Sequence, residues 1–292
     1  MSCCKLKFEI PTGSSDASPV SQEQRVIGVI AGNGIYPESF VAAARKHGVR
    51  LVMAAFKGET REVFDDKVDA IKWFRVGQLG GVIKFFKKQR ATEAIMVGQI
   101  SPRNLFDLWP DFRTLKMLRT VKERNAESLF GAIALELAKD GITLLPATTF
   151  LEENLAGEGL LFGPPPGERD WEDVEFGRKI VKQTSALDIG QSILVRRGTV
   201  LALEAFEGTD ACIRRGGELG KGQNVTLVKV SKPNQDMRFD VPVIGPNTID
   251  TCREAGVGVI AVEAGRTLFL DLEAIATKCA ASKISVVGFA GD

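Results

Sequence analysis

The sequence predicts an α/β protein with an N-terminal Rossmann-like domain and a C-terminal mixed α/β domain, joined by a linker rich in Gly and Pro. The chain opens with an apolar strand at 25–31, a Gly32-Asn33-Gly34 turn and a helix that starts near Pro37. The second half alternates strands and helices independently. Between the two halves, the sequence LAGEGLLFGPPPGER at 155–169 has the composition of a linker.

These patterns predict four segments. They are a disordered tail at 1–24, a Rossmann-like domain at 25–154, the linker at 155–169 and the C-terminal domain, expected to be catalytic, at 170–292. The 292 residues are 44% hydrophobic, which is enough for two cores, and the net charge of +1 gives no indication of nucleic-acid binding. No stretch is long and apolar enough to span a membrane, and 1–24 lacks the apolar core of a signal peptide.

The cysteine and histidine content limits the chemistry. The five cysteines have no C-x-x-C spacing, so neither a thiolate zinc site nor a disulfide framework is indicated, which fits a cytoplasmic protein. The one histidine, His47, excludes a catalytic histidine pair.

In the first half, the Gly32-Asn33-Gly34 turn precedes a helix N-terminus that could hold a phosphate. A tight structural turn is the alternative, because Pro37 occupies the third glycine position of the dinucleotide fingerprint. Lys57 follows the second strand, where a dinucleotide-binding enzyme would have its ribose-binding acid. Gln99 follows the strand EAIMV, at the end of a parallel strand where open α/β sheets bind ligands.

The highest density of polar side chains lies between Leu187 and Gly245. SILVRRGTVLALEA predicts two strands joined at Arg197-Gly198, and the EGTD turn follows with Thr209 as a helix N-cap. Carboxylates gathered without Cys or His favour Mg²⁺ or Mn²⁺, and Lys232 and Arg238 supply the positive charge that phosphoryl oxygens need.

Pro242 favours an extended chain before it, which would place Asp236 and Asp240 about 13 Å apart at about 3.3 Å per residue. One aspartate must then be chosen as the metal ligand. We choose Asp240, because Arg238 or the Pro233-Asn234 turn can occupy Asp236. The alternative is that these charges only form ion pairs on a solvated sheet edge. For Glu263, at the end of a later strand, a place in the carboxylate cluster and a purely structural role are both open.

Four segments together resemble a known family. DIGQ, the EGTD turn, the K-P-x-Q-D-x-R-x-D-x-P-x-x-G run and the later VEAG are similar to the LpxI-type UDP-2,3-diacylglucosamine pyrophosphatases of lipid A synthesis, from about Arg25 to the C-terminus. The resemblance implies metal-dependent hydrolysis of the substrate diphosphate to UMP and 2,3-diacylglucosamine 1-phosphate. It ties Asp240 to catalysis and favours a homodimer.

The residues and the resemblance together predict the site. We expect catalytic roles for Asp240, Asp236 and Lys232, and Mg²⁺ or Mn²⁺ ligands in Asp240 and Glu204. The residues expected to bind substrate are Gly32, Asn33, Gly34, Gln99, Gln191, Glu207, Thr209, Asp210, Gln235, Arg238 and Thr248.

The expected partners are a lipid-linked nucleotide sugar and, peripherally, the inner membrane. A surface of Trp73, Phe74, Phe85 and Phe86 among basic residues could make the membrane contact, or it could be a core face with a basic rim. The basic residues are Lys72, Arg75, Lys84, Lys87 and Lys88. Two other functions remain open: a nucleotide-sugar-binding or regulatory module, and a nucleotide-cofactor oxidoreductase. The carboxylate cluster counts against the first, and Lys57 in place of the ribose acid counts against the second.

Overall fold

The structure is a computed structural model that describes residues 24–100, 110–121 and 126–291. The predicted tail therefore lies outside the described residues, except for Gln24. Two sheets, each covered by helices on both faces, confirm the predicted α/β class with a parallel first sheet and a mixed second sheet.

The first sheet is parallel, with strand order β3-β2-β1-β4-β5. Its strands are β1 (Val26–Ala31), β2 (Arg50–Phe56), β3 (Ala70–Phe74), β4 (Glu93–Val97) and β5 (Thr143–Leu144). The helices are α1 (Tyr36–Lys46), α2 (Leu79–Lys88), α3 (Phe112–Leu118) and α4 (Ala126–Lys139). Because the chain moves outward from β1 in one direction and returns to β4 on the other side, the strand order reverses between β1 and β4.

The second sheet has the order β6-β13-β11-β9-β7-β8. Its strands are β6 (Gly159–Phe162), β7 (Ser192–Arg196), β8 (Thr199–Leu203), β9 (Val225–Lys229), β11 (Val257–Glu263) and β13 (Ser285–Phe289). The central β9, β11 and β13 are parallel, whereas β6 and the β7-β8 hairpin run antiparallel to their neighbours. The hairpin turns at Arg197 and Gly198, both with positive φ, as the sequence predicted.

Helices cover both faces of the second sheet. They are α5 (Glu168–Ala186), α6 (Thr209–Leu219), α7 (Pro246–Glu254) and α8 (Leu272–Ser282). Side chains of α5 pack into the core on one face, and those of α6, α7 and α8 into the core on the other. Part of the expected linker belongs to this sheet, because β6 pairs with β13 at its edge. That part of 155–169 is therefore a strand rather than a free connection.

The two halves meet through a segment of the second one. Leu268 and Leu270 are buried in the core of the first domain, and Val241 and Val243 pack against it. Val243–Ile244 and Leu268–Phe269 form a short parallel pair, β10 and β12. Residues 237–245 thus run along the junction between the domains.

Hydrogen bonds fix that junction. The Tyr36 hydroxyl donates to the Ala147 carbonyl at 2.6 Å, and the Ala147 amide donates to the Met237 carbonyl at 2.9 Å. The rings of Phe130 and Phe239 lie 5.7 Å apart across the same junction. The segment that carries Asp240 is therefore held against the first domain.

The aromatic residues proposed as a membrane surface are mostly core. Phe74, Phe85 and Phe86 are buried between the first sheet and its helices, while Lys84 and its neighbours on α2 form an exposed rim. The core-face alternative is therefore correct for this patch. Among the described residues, no helix is long and apolar enough to cross a membrane.

Replacement of Gly216 on α6 should destabilise the fold. A Cβ at this position would lie 2.5 Å from Leu194 Cγ on the sheet, so we expect Gly216→Ala to lower the free energy of unfolding by about 1–3 kcal/mol. Gly131 on α4 is the matched control, because a Cβ there meets nothing within 4 Å. Gly131→Ala should stabilise by up to about 1 kcal/mol through helix propensity. Urea unfolding of both variants measures this, and equal stabilisation of both would contradict the tight helix–sheet contact.

Candidate active site

The glycine turn of the first domain meets the loop after β4. The Asn33 amide donates to the Gln99 carbonyl at 2.6 Å, and the Gln99 amide donates back to the Asn33 carbonyl at 3.1 Å. A Cβ on Gly32 would lie 2.5 Å from the Gln99 carbonyl oxygen, and Gly34 has φ +91°. Gly32 is therefore required by the close approach of these loops and Gly34 by its positive φ, at the point where the strand order reverses.

In the second domain, a chain of hydrogen bonds starts at the end of β9. Lys229 Nζ donates to Thr209 Oγ1 at 2.9 Å, and Thr209 Oγ1 donates to Glu204 Oε1 at 2.9 Å. The Gln191 amide donates to Glu204 Oε2 at 3.4 Å. Thr209 is not the expected N-cap, because Gly208 with φ +83° takes that position and the Thr209 hydroxyl is used by Glu204.

The side chain of Gln235 links this series of hydrogen bonds to the loop that carries Asp240. Its Oε1 accepts from the Lys232 amide at 2.7 Å, and its side chain hydrogen bonds to Asp240. Its Nε2 lies 3.5 Å from Gln191 Oε1. Gln235 is only 7% exposed, so its buried side chain holds the loop in place through these hydrogen bonds. The structure thereby brings Gln191, Lys232, Gln235 and Asp240 together, as expected for one site.

Residues 236–240 form a turn, so the extended chain that Pro242 was taken to indicate is wrong. The Asp240 amide donates to the Asp236 carbonyl at 2.9 Å, and the Phe239 amide donates to the same oxygen at 3.2 Å. Pro242 restricts only the residue directly before it, which leaves 236–240 free to turn. The separation of about 13 Å between the two aspartates in an extended chain therefore does not apply.

The carboxylate of Asp236 pairs with Arg238. This pairing was the reason for choosing Asp240 rather than Asp236 as the metal ligand. Arg238 Nε and Nη2 donate to its carboxylate at 2.9 and 2.6 Å, and the Arg238 amide donates at 3.0 Å. These bonds lower the pKa of Asp236 and raise that of Arg238. The guanidinium of Arg238 is therefore already engaged, whereas the expectation was that it would bind substrate.

Asp240 is the half-buried carboxylate at the centre of this loop. Burial raises its pKa, against the opposing charge of Lys232 and the hydrogen bond from Gln235. Lys232 also pairs with Asp188. Burial alone would lower the pKa of Lys232, but the bond to Asp188 and the charge of Asp240 leave it above its usual value.

A metal ion has one favourable ligand here. Among the residues of the described ranges, no group of three Asp, Glu, His or Cys side chains is arranged to hold an ion. Both oxygens of Glu204 already accept hydrogen bonds, from Thr209 and Gln191, whereas Asp240 accepts from Gln235. Mg²⁺ commonly binds one or two carboxylates, with waters and substrate phosphates completing the shell. Asp240 fits that pattern better than Glu204 does.

The remaining expected residues lie nearer the edge of the site. Glu207 pairs with Arg215 and accepts from the Ala205 amide, so it stabilises the turn before α6. Asp210 is exposed in the first turn of α6, and Thr248 is half-buried in the first turn of α7. For these three residues the structure shows no direct bond to the Asp240 loop within the described chain.

Sequence reasoning missed Lys229 and left two roles open for Glu263. Lys229 ends an otherwise apolar strand, VTLVK, and a lone charge at the end of such a run is the signal that could have identified it. Glu263, for which two roles were open, is 3% exposed and accepts from Lys182 at 2.8 and 2.9 Å and from the Ser231 amide and hydroxyl at 2.8 Å. Glu263 therefore has a structural role: it forms an ion pair with Lys182 and fixes Ser231, the residue before Lys232.

Two solved structures show weak likeness to this chain. A biotin carboxylase domain of a thermophilic 2-oxoglutarate carboxylase aligns with a TM-score of 0.25 at 12% identity, over 57% of this chain and 34% of that one. The same domain from Hydrogenobacter thermophilus gives a TM-score of 0.24 at 11% identity, over 66% and 41%. Similarities of this size say nothing about function.

Sequence comparison is decisive. The family model of the LpxI N-terminal domain matches residues 26–154, and that of the LpxI C-terminal domain matches residues 157–287. A relative from Caulobacter vibrioides, named UDP-2,3-diacylglucosamine pyrophosphatase LpxI, is 31% identical over 264 residues, which cover 86% of this chain and 92% of the relative. With both domain models matched in order and a relative similar over nearly its full length, the chain belongs to the LpxI family.

Proposed function

We propose that this protein hydrolyses the diphosphate of UDP-2,3-diacylglucosamine to UMP and 2,3-diacylglucosamine 1-phosphate, in lipid A synthesis. The observation that carries the proposal is the similarity across both domains to the Caulobacter vibrioides relative named for this pyrophosphatase activity. The loop around Asp240, with its adjacent lysine and its position at the domain junction, is the part of the structure that best suits the reaction.

In this reaction, the oxygen of water bonds to one phosphorus while the bond from that phosphorus to the bridging oxygen breaks. Each product leaves with one phosphate, and the water gives up a proton. Negative charge builds up on the bridging oxygen as it leaves, so cations placed nearby accelerate the step. Lys232 supplies such a cation beside Asp240, and its raised pKa keeps it charged at neutral pH.

The junction between the domains is the proposed substrate site. The Asp240 loop lies there, and the glycine turn that meets Gln99 lies at the reversal point of the first sheet, where open α/β sheets bind ligands. We propose that the second domain binds the diphosphate, and that the nucleotide or lipid end reaches the first.

We also propose a Mg²⁺ or Mn²⁺ cofactor, held by Asp240 together with phosphate oxygens of the substrate. When bound, the ion would neutralise charge on those oxygens. Glu204 could join as a ligand only by exchanging its bond to Thr209 or Gln191. Asp240 itself must be ionised to serve, because a protonated carboxyl is a poor ligand.

Release of UMP tests this function directly. Purified protein incubated with UDP-2,3-diacylglucosamine should release UMP, lose activity with a chelator and regain it with Mg²⁺ or Mn²⁺. Binding of the nucleotide sugar without release of UMP would instead indicate a binding or regulatory module. Activity that is unaffected by the chelator would contradict the proposed metal cofactor but support the proposed hydrolysis.

The proposed location is the cytoplasm, with peripheral contact to the inner membrane, and the proposed assembly is a homodimer. A diacylated substrate resides in a bilayer, and no helix of the described chain could span one. Flotation with anionic liposomes tests the membrane contact, and sedimentation velocity tests the dimer. Protein that stays at the bottom of the gradient, or sediments as a monomer, would reject the respective proposal.

Asp240→Ala should lower kcat by about a thousandfold or more, on the order of 4 kcal/mol, as is typical for the loss of a main electrostatic element of a catalytic site. Asp236→Ala should cost much less, because Asp236 pairs with Arg238 rather than with substrate. Steady-state release of UMP by the two variants measures the difference. Near wild-type, metal-dependent turnover by a folded Asp240→Ala protein would show that the wrong aspartate is assigned.

The same two aspartates should affect stability with opposite sign. The pKa of Asp240 is raised in the fold, so this group adds stability below its unfolded pKa and loses it as pH rises through the folded value. Asp240→Asn should therefore raise Tm at neutral pH, by an amount that shrinks as pH falls towards about 4.

Asp236→Asn is the matched control. The pKa of Asp236 is lowered by Arg238, so its stability contribution is present at neutral pH and is lost as pH falls through the folded value. This variant should lower Tm at neutral pH, and the deficit should close in acid. Thermal melts of both variants between neutral pH and about pH 3 test the signs. Equal shifts for the two would contradict the different environments of the carboxylates.

A further inference from the structure

Lys229 is a buried lysine at the carboxyl end of a central strand. It is the last residue of β9, which lies between β7 and β11, and it is 7% exposed. Its side chain lies on the same face of the sheet as Leu227, towards α6, because side chains alternate along a strand. This is the end of the parallel strands at which α/β sheets bind ligands.

The charge of Lys229 has little direct compensation. Its ammonium group can donate three hydrogen bonds, and the bond made within the described ranges goes to a neutral group, Thr209 Oγ1. In that part of the chain it forms no ion pair with a carboxylate, whereas the nearby Lys182 and Lys232 each do. A buried charge without a paired counter-charge costs free energy, so a bound anion would relieve that cost.

Ser192 supplies an independent sign of an incomplete site. It is 0% exposed, and its hydroxyl oxygen has no hydrogen-bond partner in the described part of the chain. Ser192 lies directly opposite Lys229 in the antiparallel pairing of β7 with β9, so both side chains leave the same face of the sheet. Two residues that are paired across the strands thus each keep unused hydrogen-bonding capacity.

The surroundings of Lys229 suit a phosphate. Thr209 is the first residue of α6, an 11-residue helix whose N-terminal amides carry partial positive charge. Asp240 lies close enough for the charge of Lys229 to lower its pKa. Lys229 therefore lies near the proposed catalytic carboxylate, as Lys232 does.

We propose that Lys229 binds a phosphoryl group of the substrate diphosphate, together with the backbone amides at the N-terminus of α6. The identity of the diphosphate rests on the proposed function. The presence of a phosphate site rests on the buried lysine and on Ser192. Because the lysine would hold the phosphate in both the ground state and the transition state, its loss should act mainly on KM.

The test uses Lys229→Met, an apolar replacement of similar length, with Lys229→Gln as a second variant in case one is poorly folded. Lys278→Met is the control, because Lys278 lies in the same domain and already pairs with Asp250 at 2.7 Å. Thermal melts with and without inorganic pyrophosphate or UMP measure binding, and release of UMP from UDP-2,3-diacylglucosamine measures KM and kcat.

We expect Lys229→Met to melt no lower than the wild type, to lose the ligand-induced rise in Tm, and to raise KM by about 10- to 100-fold with a much smaller change in kcat. Lys278→Met should retain both the ligand response and KM. A structural role for Lys229 would instead lower the unliganded Tm and leave KM unchanged.

The outcomes separate this inference from the proposed function. If the wild type releases no UMP but Lys229→Met still abolishes the response to pyrophosphate, the proposed function fails and the phosphate site stands. If hydrolysis is intact and Lys229→Met retains both KM and the pyrophosphate response, the phosphate site is overturned and the function stands. The absence of any wild-type response to pyrophosphate and UMP would also overturn it.

Discussion

The position of Asp240 depends on the buried pair of Lys182 and Glu263. Glu263 ends β11 and accepts hydrogen bonds from Lys182 and from both the amide and the hydroxyl of Ser231. Ser231 is the residue at which the chain leaves the second sheet for the loop of Lys232 and Asp240. A buried ion pair contributes little net stability, but removal of one partner is costly, so such a pair holds a defined geometry. The far end of the same segment is held by the first domain, where Val241 and Val243 pack against its core.

Most carboxylates in and around this segment already have partners. Asp188 pairs with Lys232, Asp236 with Arg238 and Glu207 with Arg215, while Glu204 accepts bonds from Thr209 and Gln191. Asp240 accepts from Gln235, which leaves oxygen lone pairs available, and it is the carboxylate of this group whose pKa is raised. The polar density that singled out this region in the sequence is therefore mostly structural. The unusual environment of one member distinguishes it from the rest.

The sequence was sufficient for the fold class and for the hairpin at Arg197-Gly198, because hydrophobic periodicity and turn chemistry are local signals. It was wrong or left alternatives open where the outcome depends on distant contacts. The turn at 236–240 closes through backbone bonds and an Arg238 pair that no periodicity records. The aromatic-basic pattern left both a membrane surface and a core face open for Phe74, Phe85 and Phe86, and packing between the first sheet and its helices decides for the core face. Lys229 was overlooked since its importance comes from residues distant in sequence, Thr209 on α6 and Ser192 on the neighbouring strand.

Two groups of opposite charge, one half-buried and one buried, lie near one another in the second domain. Asp240 is a half-buried carboxylate that burial disfavours in its charged form, and Lys229 is a buried ammonium bonded to a hydroxyl. Direct pairing of the two would relieve both costs, yet each instead contacts neutral groups, Gln235 and Thr209. Opposite charges that are held near one another without a direct bond leave room for a ligand that carries both signs. A phosphate with a divalent cation is such a ligand: its oxygens satisfy the ammonium and the cation satisfies the carboxylate. The energetic cost of burying these two charges is thus consistent with the proposed function.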